Sequence, residues 1–517
     1  MKRNVPVIIS KFGLLEKSEE ELASMRSSSD EQGWLTEEQT SVYIRSLRMV
    51  DGVLYCMSRN DDGKSICAAS RREFTTPFDA PVERLESMYF QTSTLSKKNA
   101  HALFELFPFT KPVSLRNERT TIGMGDRIGR ATAGQLRAAR KYNVYPVLAQ
   151  QSVRELQFTG RTFADVVTDA AFLVFQEGFE RGYGADGDHL KTIEAIDTAL
   201  AEHMPMITLD LTEVMKPEVA EWSDKEVAKA YEKLKTEFRK RVESEYAGKE
   251  FKYEAGTVTI SVEEARRCAV MYGPALDFSE EVDAHLRQKT DDSYDLEISI
   301  DETTTPTLPS HHLFIARELN ARGVTVNSLA PRFIGEFQKA IDYIGDVAEF
   351  EKQFALHCEI AKSNGYYKIS VHSGSDKFLV YPVVGKYTSK RLHLKTAGTS
   401  WLESLRTVAC AEPDLYRRMH TKAYEYYPTA LKQYHITANL DKIAPLDEVE
   451  NADLSAYLDD PNCRQLLHIS YGGLLNDPEI RDDYFAAIHK HEEFFARILA
   501  GHFDKHISLL GIERLES

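Results

Sequence analysis

From about residue 117 the chain alternates between two apolar rhythms. Short runs rich in Val, Ile, Leu and Thr give way to longer stretches where apolar side chains return every three or four positions. The first rhythm is that of strands and the second that of helices. Eight runs are predicted as strands: "TTIGMGD" (120–126), "VYPVLAQ" (144–150), "GYGADGDH" (182–189), "MPMITLD" (204–210), "YDLEISIDE" (294–302), "GVTVNSLAP" (323–331), "YYKISVHSG" (366–374) and "RLHLKTAG" (391–398). Helical periodicity separates most of them, as in "AGQLRAARKY", "TFADVVTDAAFLVFQEGFERG", "LKTIEAIDTALAEH", "HHLFIARELNAR" and "DVAEFEKQFALHCEIAKSN". Eight βα units in series predict a (β/α)8 TIM-like barrel over 116–400 rather than an open sheet.

Three further regions surround this pattern. Residues 1–115 read as an N-terminal α/β domain, with strands expected at "PVIISKFG", "DGVLYCMS" and "KSICAAS" and a helix at "LSKKNAHALFELFPF". Residues 212–293 interrupt the repeat between strands four and five. They contain "DKEVAKAYEKLKTEFRKRVESEY", which predicts one long charged helix in a helical insertion, its charges a solvated face. Residues 401–517 read as a mainly helical C-terminal extension packing on the barrel, with two isolated strand-like runs, "QYHITANL" and "RQLLHISYGG".

The alternation also sorts polar side chains. Glu297, Ser299 and Asp301 share one face of strand five, and Lys368, Ser370 and His372 share one face of strand seven. His393 and Lys395 do so on strand eight, and Thr208 and Asp210 on strand four. A polar inner face is costly to bury. A satisfied ion-pair layer would account for it, but barrels of this kind gather reactive groups at the C-terminal strand ends. Asp188-His189 closes strand three and His372 closes strand seven. Imidazoles suit zinc, manganese, iron or nickel, and a carboxylate often completes the set. Asp301 is the nearest strand-end carboxylate, with Glu336 behind it. A divalent metal cation, with Zn, Mn or Ni the leading candidates, is therefore expected, although the spacing is far less specific than HExxH.

Substrate-binding candidates follow from the other strand ends. Arg332, Lys377 and Lys395 together would form an anion pocket, Arg332 clamping a carboxylate with its planar guanidinium. Ser373 and Ser375, in the polar turn after His372, would hold a sugar hydroxyl or carboxylate. Asp126 ends strand one in "GMGDRIG", and Gln150 ends strand two.

Composition narrows the classes. The 517 residues carry a formal charge of -16, which argues against nucleic acid or an anionic membrane as partner. The six cysteines form no CxxC pair and read as reduced thiols of a cytoplasmic protein. The N-terminal apolar patch ends too early for a signal peptide, and no run approaches the ~18 apolar residues of a membrane span. "GMGDRIG" is not GxGxxG, and P-loop and GxSxG motifs are absent, so no dinucleotide or ATP site is inferred.

The strings "GMGDRIG", "LAQQSVRE", "TGRTFADV", "FQEGFERGYGADGDH", "SIDETTTPT", "RFIGEFQKAIDY", "KISVHSGSDKF", "LKTAGTSW" and "RQLLHISYGG" span roughly 120–475. Taken together they resemble the tagaturonate/fructuronate epimerases of bacterial hexuronate breakdown. The resemblance implies a metal-dependent barrel enzyme interconverting D-tagaturonate and D-fructuronate, with Asp188 as proton acceptor and Glu297 as proton donor. It implies His189 and His372 as metal ligands, and leaves the third ligand open. The family pattern has alanine where this chain has Gly187, a change expected to loosen the turn. The inverted carbon is β to the ketone, so its C–H is not acidified by it, and a retro-aldol route suits these groups better than enolisation. Two-sided proton exchange is the alternative route. Fructose/tagatose 4-epimerisation is an expected side activity. A metal-dependent keto-sugar aldolase or isomerase would use the same groups, and a non-catalytic sugar-acid-binding barrel would keep the fold without turnover. The expected partner is a small keto-sugar acid, and a homo-oligomer is compatible with the sequence.

Overall fold

A computed structural model describes residues 4–29, 33–301, 303 and 305–515. Its centre is a closed barrel of eight parallel strands. They are β1 (Thr120–Gly123), β2 (Tyr145–Ser152), β3 (Gly184–Leu190), β4 (Met206–Asp210), β5 (Asp295–Ile300), β6 (Ser328–Pro331), β7 (Lys368–Val371) and β8 (Leu392–Lys395). All eight fall inside the runs predicted from the alternation, or within two residues of them. The last residue of the fifth predicted run, Glu302, lies outside the described residues. β8 closes onto β1 through the pairs Leu392–Thr120 to Lys395–Gly123.

The helices around the barrel follow the predicted periodicity. They are α1 (Thr132–Ala139), α2 (Val153–Thr159), α3 (Phe163–Glu177), α4 (Ile193–Ala201), α5 (Val262–Thr290), α6 (Pro309–Ala321), α7 (Val347–Ser363), α8 (Tyr381–Tyr387) and α9 (Thr399–Ala411). Two starts are legible as capping boxes, Ser152 with Glu155 at α2 and Thr162 with Asp165 at α3. Gly187 lies within β3. A Cβ there would meet Leu190 Cδ1 at 2.8 Å and Ala199 Cβ at 2.9 Å. The glycine therefore lets α4 approach β3 closely, and loosens no turn.

Four local expectations are corrected. Most of "PVIISKFG", up to Lys11, lies in a helix, Asn4–Lys11, rather than a strand; the helix's buried Val5, Ile8 and Ile9 recur at helical spacing. The long charged helix is two helices, Asp224–Tyr231 and Thr236–Glu245, broken without a glycine or proline. The insertion also carries a hairpin, Lys249–Tyr253 with Gly256–Ile260. "QYHITANL" forms no strand, and "RQLLHISYGG" is helical, beginning within α10 (Pro461–Ile469).

Seven strands between Trp34 and Ser93 form an antiparallel sheet ahead of the barrel. The last helix, α11 (Glu492–Leu509), ties it to the rest. Glu492 accepts from Lys64 Nζ at 2.6 Å, Arg59 Nη1 at 3.1 Å and the Tyr43 hydroxyl at 3.1 Å, all from that sheet. On its other side α11 lies against α1, where a Cβ on Gly134 would be 2.8 Å from the Ala496 carbonyl.

Candidate active site at the mouth of the barrel

The polar faces predicted for the strands turn into the barrel. Thr208, Glu297, Ser328 and Lys368 lie in adjacent register across β4 to β7. In the lowest layer Lys368 Nζ donates to the Leu115 carbonyl at 3.0 Å, and Thr121 Oγ1 lies 2.9 Å from His393 Nδ1. Burial lowers Lys368 to about 8 and His393 to about 3.

The next layer is an ion cluster around Lys395. Its ammonium lies 2.8 Å from Asp186, 2.6 Å from Asp188 and 2.9 Å from Glu297, and it also donates to the Thr208 hydroxyl. Burial holds Asp186 at about 6 despite the neighbouring ammonium. Burial also opposes ionisation of Asp188 and Glu297. There Lys395 and the nearby imidazoles win, and both carboxyls sit well below the usual range. The same carboxylates outweigh burial at Lys395 and keep it a cation.

Above this layer His189, Asp301 and His372 each offer one ligand atom, all within 4.8 Å of one another. The two rings stand edge to face with centroids 5.1 Å apart. Each imidazole has a carboxylate behind it. Asp210 Oδ2 lies 3.3 Å from His189 Nδ1, and Glu297 Oε1 lies 2.6 Å from His372 Nε2. This leaves His372 Nδ1 beside Asp301, at 2.9 Å. Carboxylates that fix imidazole orientation are the usual support of metal-ligating histidines. Burial disfavours a charged His372, but Asp301 and Glu297 carry it to about 10 without a cation. Two imidazoles, one carboxylate and a surplus of negative charge fit a borderline divalent ion such as Zn, Mn or Ni. His189 and Ser373 adopt left-handed backbone, with φ of 56° and 49°. Such strain in residues other than glycine collects at functional sites.

The cleft over this centre has two chambers that share Asp301, His372, Ser373, Arg154 and Lys339. The inner one, about 60 Å³, holds Asp188, His189, Gln150, Ser375 and Lys395, with Arg127, Glu155 and His468. The outer one, about 240 Å³, holds Arg332 and Glu336. Glu336 is not among the clustered ligand atoms.

Three expected site residues lie elsewhere. Asp126 accepts the backbone N–H groups of Ile128, Gly129 and Ala131 at 3.0, 2.9 and 2.7 Å, so its carboxylate builds the turn. Lys377 donates to the carbonyls of Gln338, Ile341 and Ser375 and pegs two loops together. The expected anion pocket of Arg332, Lys377 and Lys395 therefore does not assemble: Lys377 faces carbonyls and Lys395 faces carboxylates. Glu297 is fully buried under His372 and Lys395 and lines neither chamber.

Several groups escaped the sequence reading. Asp186 sat beside Asp188 in the same quoted run. Arg154 and Glu155 are the last two positions of the "S-x-x-E" cap that starts α2. Lys339 donates to Ser373 Oγ at 2.9 Å from the loop that holds "RFIGEFQKAIDY", where it was not singled out. His468 comes from α10 in the C-terminal extension. A Cβ on Gly398 would be 1.9 Å from its Cε1, so that glycine makes room for the ring.

Comparisons with known proteins identify the family. Residues 43–510 match the family described as tagaturonate epimerase. A tagaturonate/fructuronate epimerase of Thermotoga maritima is 36% identical over 469 residues, covering 91% of this chain and 96% of that protein. The native crystal structure of the fructuronate-tagaturonate epimerase UxaE from Cohnella laeviribosi has a TM-score of 0.86 at 40% identity. A form of that enzyme with two glycerols has a TM-score of 0.87 at 41% identity. Both alignments cover 92% of this chain and 97% of theirs.

Proposed function

This chain belongs to the tagaturonate epimerase family, an isomerase-class family, and on that premise we propose that it interconverts D-tagaturonate and D-fructuronate by a retro-aldol route. The observation that supports the reading is the contact between Asp188 and Lys395 in the inner chamber, at 2.6 Å, beside the His189–Asp301–His372 cluster. His189, Asp301 and His372 would hold the cation, which when bound supplies Lewis-acid stabilisation of negative charge on oxygen.

The chain's own groups do the proton work. Asp188 is ionised and lines the chamber, so it can take the proton from the hydroxyl on the carbon to be inverted. The carbon–carbon bond toward the ketone-bearing half then breaks, and its electron pair becomes the enediolate of that half. The aldehyde half rotates and presents its other face, and the bond re-forms. The new alkoxide takes a proton from the Lys395 ammonium. Asp188 returns its proton to Lys395 along their hydrogen bond, and the site is reset. Glu297 reaches the substrate only through Lys395 or His372. It is a positioning residue in this scheme, holding the ammonium charged and the imidazole oriented.

The test is product analysis. Chelator-stripped protein is incubated with D-fructuronate, with and without Zn²⁺, Mn²⁺ or Ni²⁺, and D-tagaturonate is sought by chromatography. Metal-dependent approach to an equilibrium mixture is the expected result, and no conversion with any of the three overturns the reading. In deuterated solvent no label should enter the inverted carbon; its incorporation would favour two-sided proton exchange.

A further inference from the structure

The two chambers differ in what they ask of a ligand. The inner one is lined by three residues that each carry a buried polar atom without a hydrogen-bond partner among the described residues: Arg127 Nη1, His468 Nδ1 and Gln150 Oε1. Arg127, His468 and Gln150 are 3%, 1% and 1% exposed, so water does not satisfy them from outside. Buried groups in this condition are rare and call for an explanation. Arg127 is also held rigidly. Its Nε and Nη2 donate to Glu155 Oε1 at 2.9 and 2.7 Å, and its guanidinium stacks 3.9 Å from the centre of the Tyr471 ring. Its Nη2 also approaches His468 Nε2 at 3.4 Å, which leaves the imidazole proton on Nδ1. The Gln150 amide oxygen packs against Gly123, where a Cβ would be 1.8 Å from it, so the unused set is two N–H donors.

That set suits hydroxyl and ketone oxygens better than a carboxylate. Glu155 cancels the charge of Arg127, and the Lys395 ammonium in the same chamber is already shared among Asp186, Asp188 and Glu297. The outer chamber carries Arg332, with Arg154 and Lys339 at the junction, against Glu336. The metal cluster lies where the chambers meet, so a six-carbon chain reacting there extends one half into each. The inner volume of about 60 Å³ admits on the order of four water-sized groups, enough for a hydroxymethyl ketone end.

We infer that Arg127, Gln150 and His468 bind the hydroxymethyl ketone end of the substrate, and that the carboxylate end lies in the outer chamber on Arg332. This rests on the hexuronate reading above and fixes the direction of the substrate in the cleft. His468 and Tyr471 make the C-terminal extension part of the substrate site.

The test uses two three-carbon probes as competitors of D-fructuronate turnover by the metal-loaded enzyme: dihydroxyacetone for the ketone end and tartronate for the carboxylate end. Gln150→Leu and Arg127→Lys should each weaken inhibition by dihydroxyacetone about tenfold or more and change tartronate less than about twofold. Arg332→Met should do the reverse. The Lys variant keeps a cation beside Glu155, and the Leu variant touches no ion pair, so one of them survives a folding defect in the other. The inference is overturned if the inner-chamber variants weaken tartronate selectively. It is equally overturned if they weaken both probes alike, as a merely structural role would, or if they weaken neither. Failure of the wild-type enzyme to convert D-fructuronate would instead sink the hexuronate reading itself.

Discussion

Replacing Lys395 by methionine keeps the length of the side chain and removes its charge. The side chain is 4% exposed, and its ammonium touches three carboxylates at 2.6 to 2.9 Å. Each contact is worth ~6 kcal/mol of Coulomb attraction at an effective dielectric of about 20. The desolvation of Lys395 offsets much of this, and removing one partner of a buried ion pair costs about 3–5 kcal/mol in practice. Three partners are orphaned at once, so the upper end of that range is expected for metal-stripped protein at pH 8. The loss should depend on pH in a known direction. Asp186 already titrates at about 6 beside the ammonium, and it must rise further without it. A carboxyl with a raised folded pKa is destabilising above that pKa, and the cost is relieved as pH falls through it. The gap between wild type and variant should therefore narrow between pH 8 and pH 5.5, by about 1.4 kcal/mol for each unit Asp186 has risen. Equilibrium urea unfolding at the two pH values reads both quantities. A loss below about 1 kcal/mol, or an identical gap at both pH values, would refute the assignment of Lys395 as the charge that holds the cluster together.

Four other outcomes are expected. Asp188→Asn should lower turnover by about 10²–10⁴-fold while leaving metal-induced stabilisation in place, checked by steady-state kinetics beside thermal unfolding. A cation at a hundred times its Kd should stabilise the stripped protein by about 2.7 kcal/mol, and Asp301→Ala or His372→Ala should abolish that shift. Gly398→Ala, at an ordinary φ of -94°, should cost about 1–3 kcal/mol and reduce activity, because the new Cβ drives into His468. Glu492→Gln should cost roughly 3 kcal/mol at pH 7: burial opposes its ionisation, but Lys64 and Arg59 hold it at about 2 from an ordinary 4.5. That stability is present above about pH 4.5 and lost as pH falls toward 2, so the two proteins should converge in acid unfolding.

The barrel was legible because its strands obey one rule over eight repeats, and the rule also locates the strand ends. Asp188, His189, Asp301 and His372 were found that way, since each closes a strand. Lys377 shows the limit of the rule. It follows His372 by five positions, yet the turn carries it away from the cleft, and three carbonyls take its protons. Asp126 fails for a similar reason, because a carboxylate just past a strand can equally well cap the next turn. Arg127 was legible with Asp126 at the end of strand one, but Arg154, Lys339 and His468 were not singled out, since α2, a loop and α10 bring them to the cleft from distant parts of the chain. The helix at Asn4–Lys11 escaped because a short apolar run of β-branched residues fits either period.

The polar interior raises the question of why this barrel does not fill itself with aliphatic side chains. Asp186, Asp188, Glu297 and Asp301 are four carboxylates around one ammonium and two imidazoles. If the imidazoles protonate, the cluster approaches neutrality, and His372 does so in the metal-free state. If they ligate a cation they must be neutral, and the cation's two charges take over the same task. The stabilising charge is thus either two protons or one divalent ion. Metal affinity should weaken as pH falls, because protons compete for His372 and His189. The surplus of carboxylates is then the means by which an otherwise costly interior stays folded while leaving its ligands exchangeable.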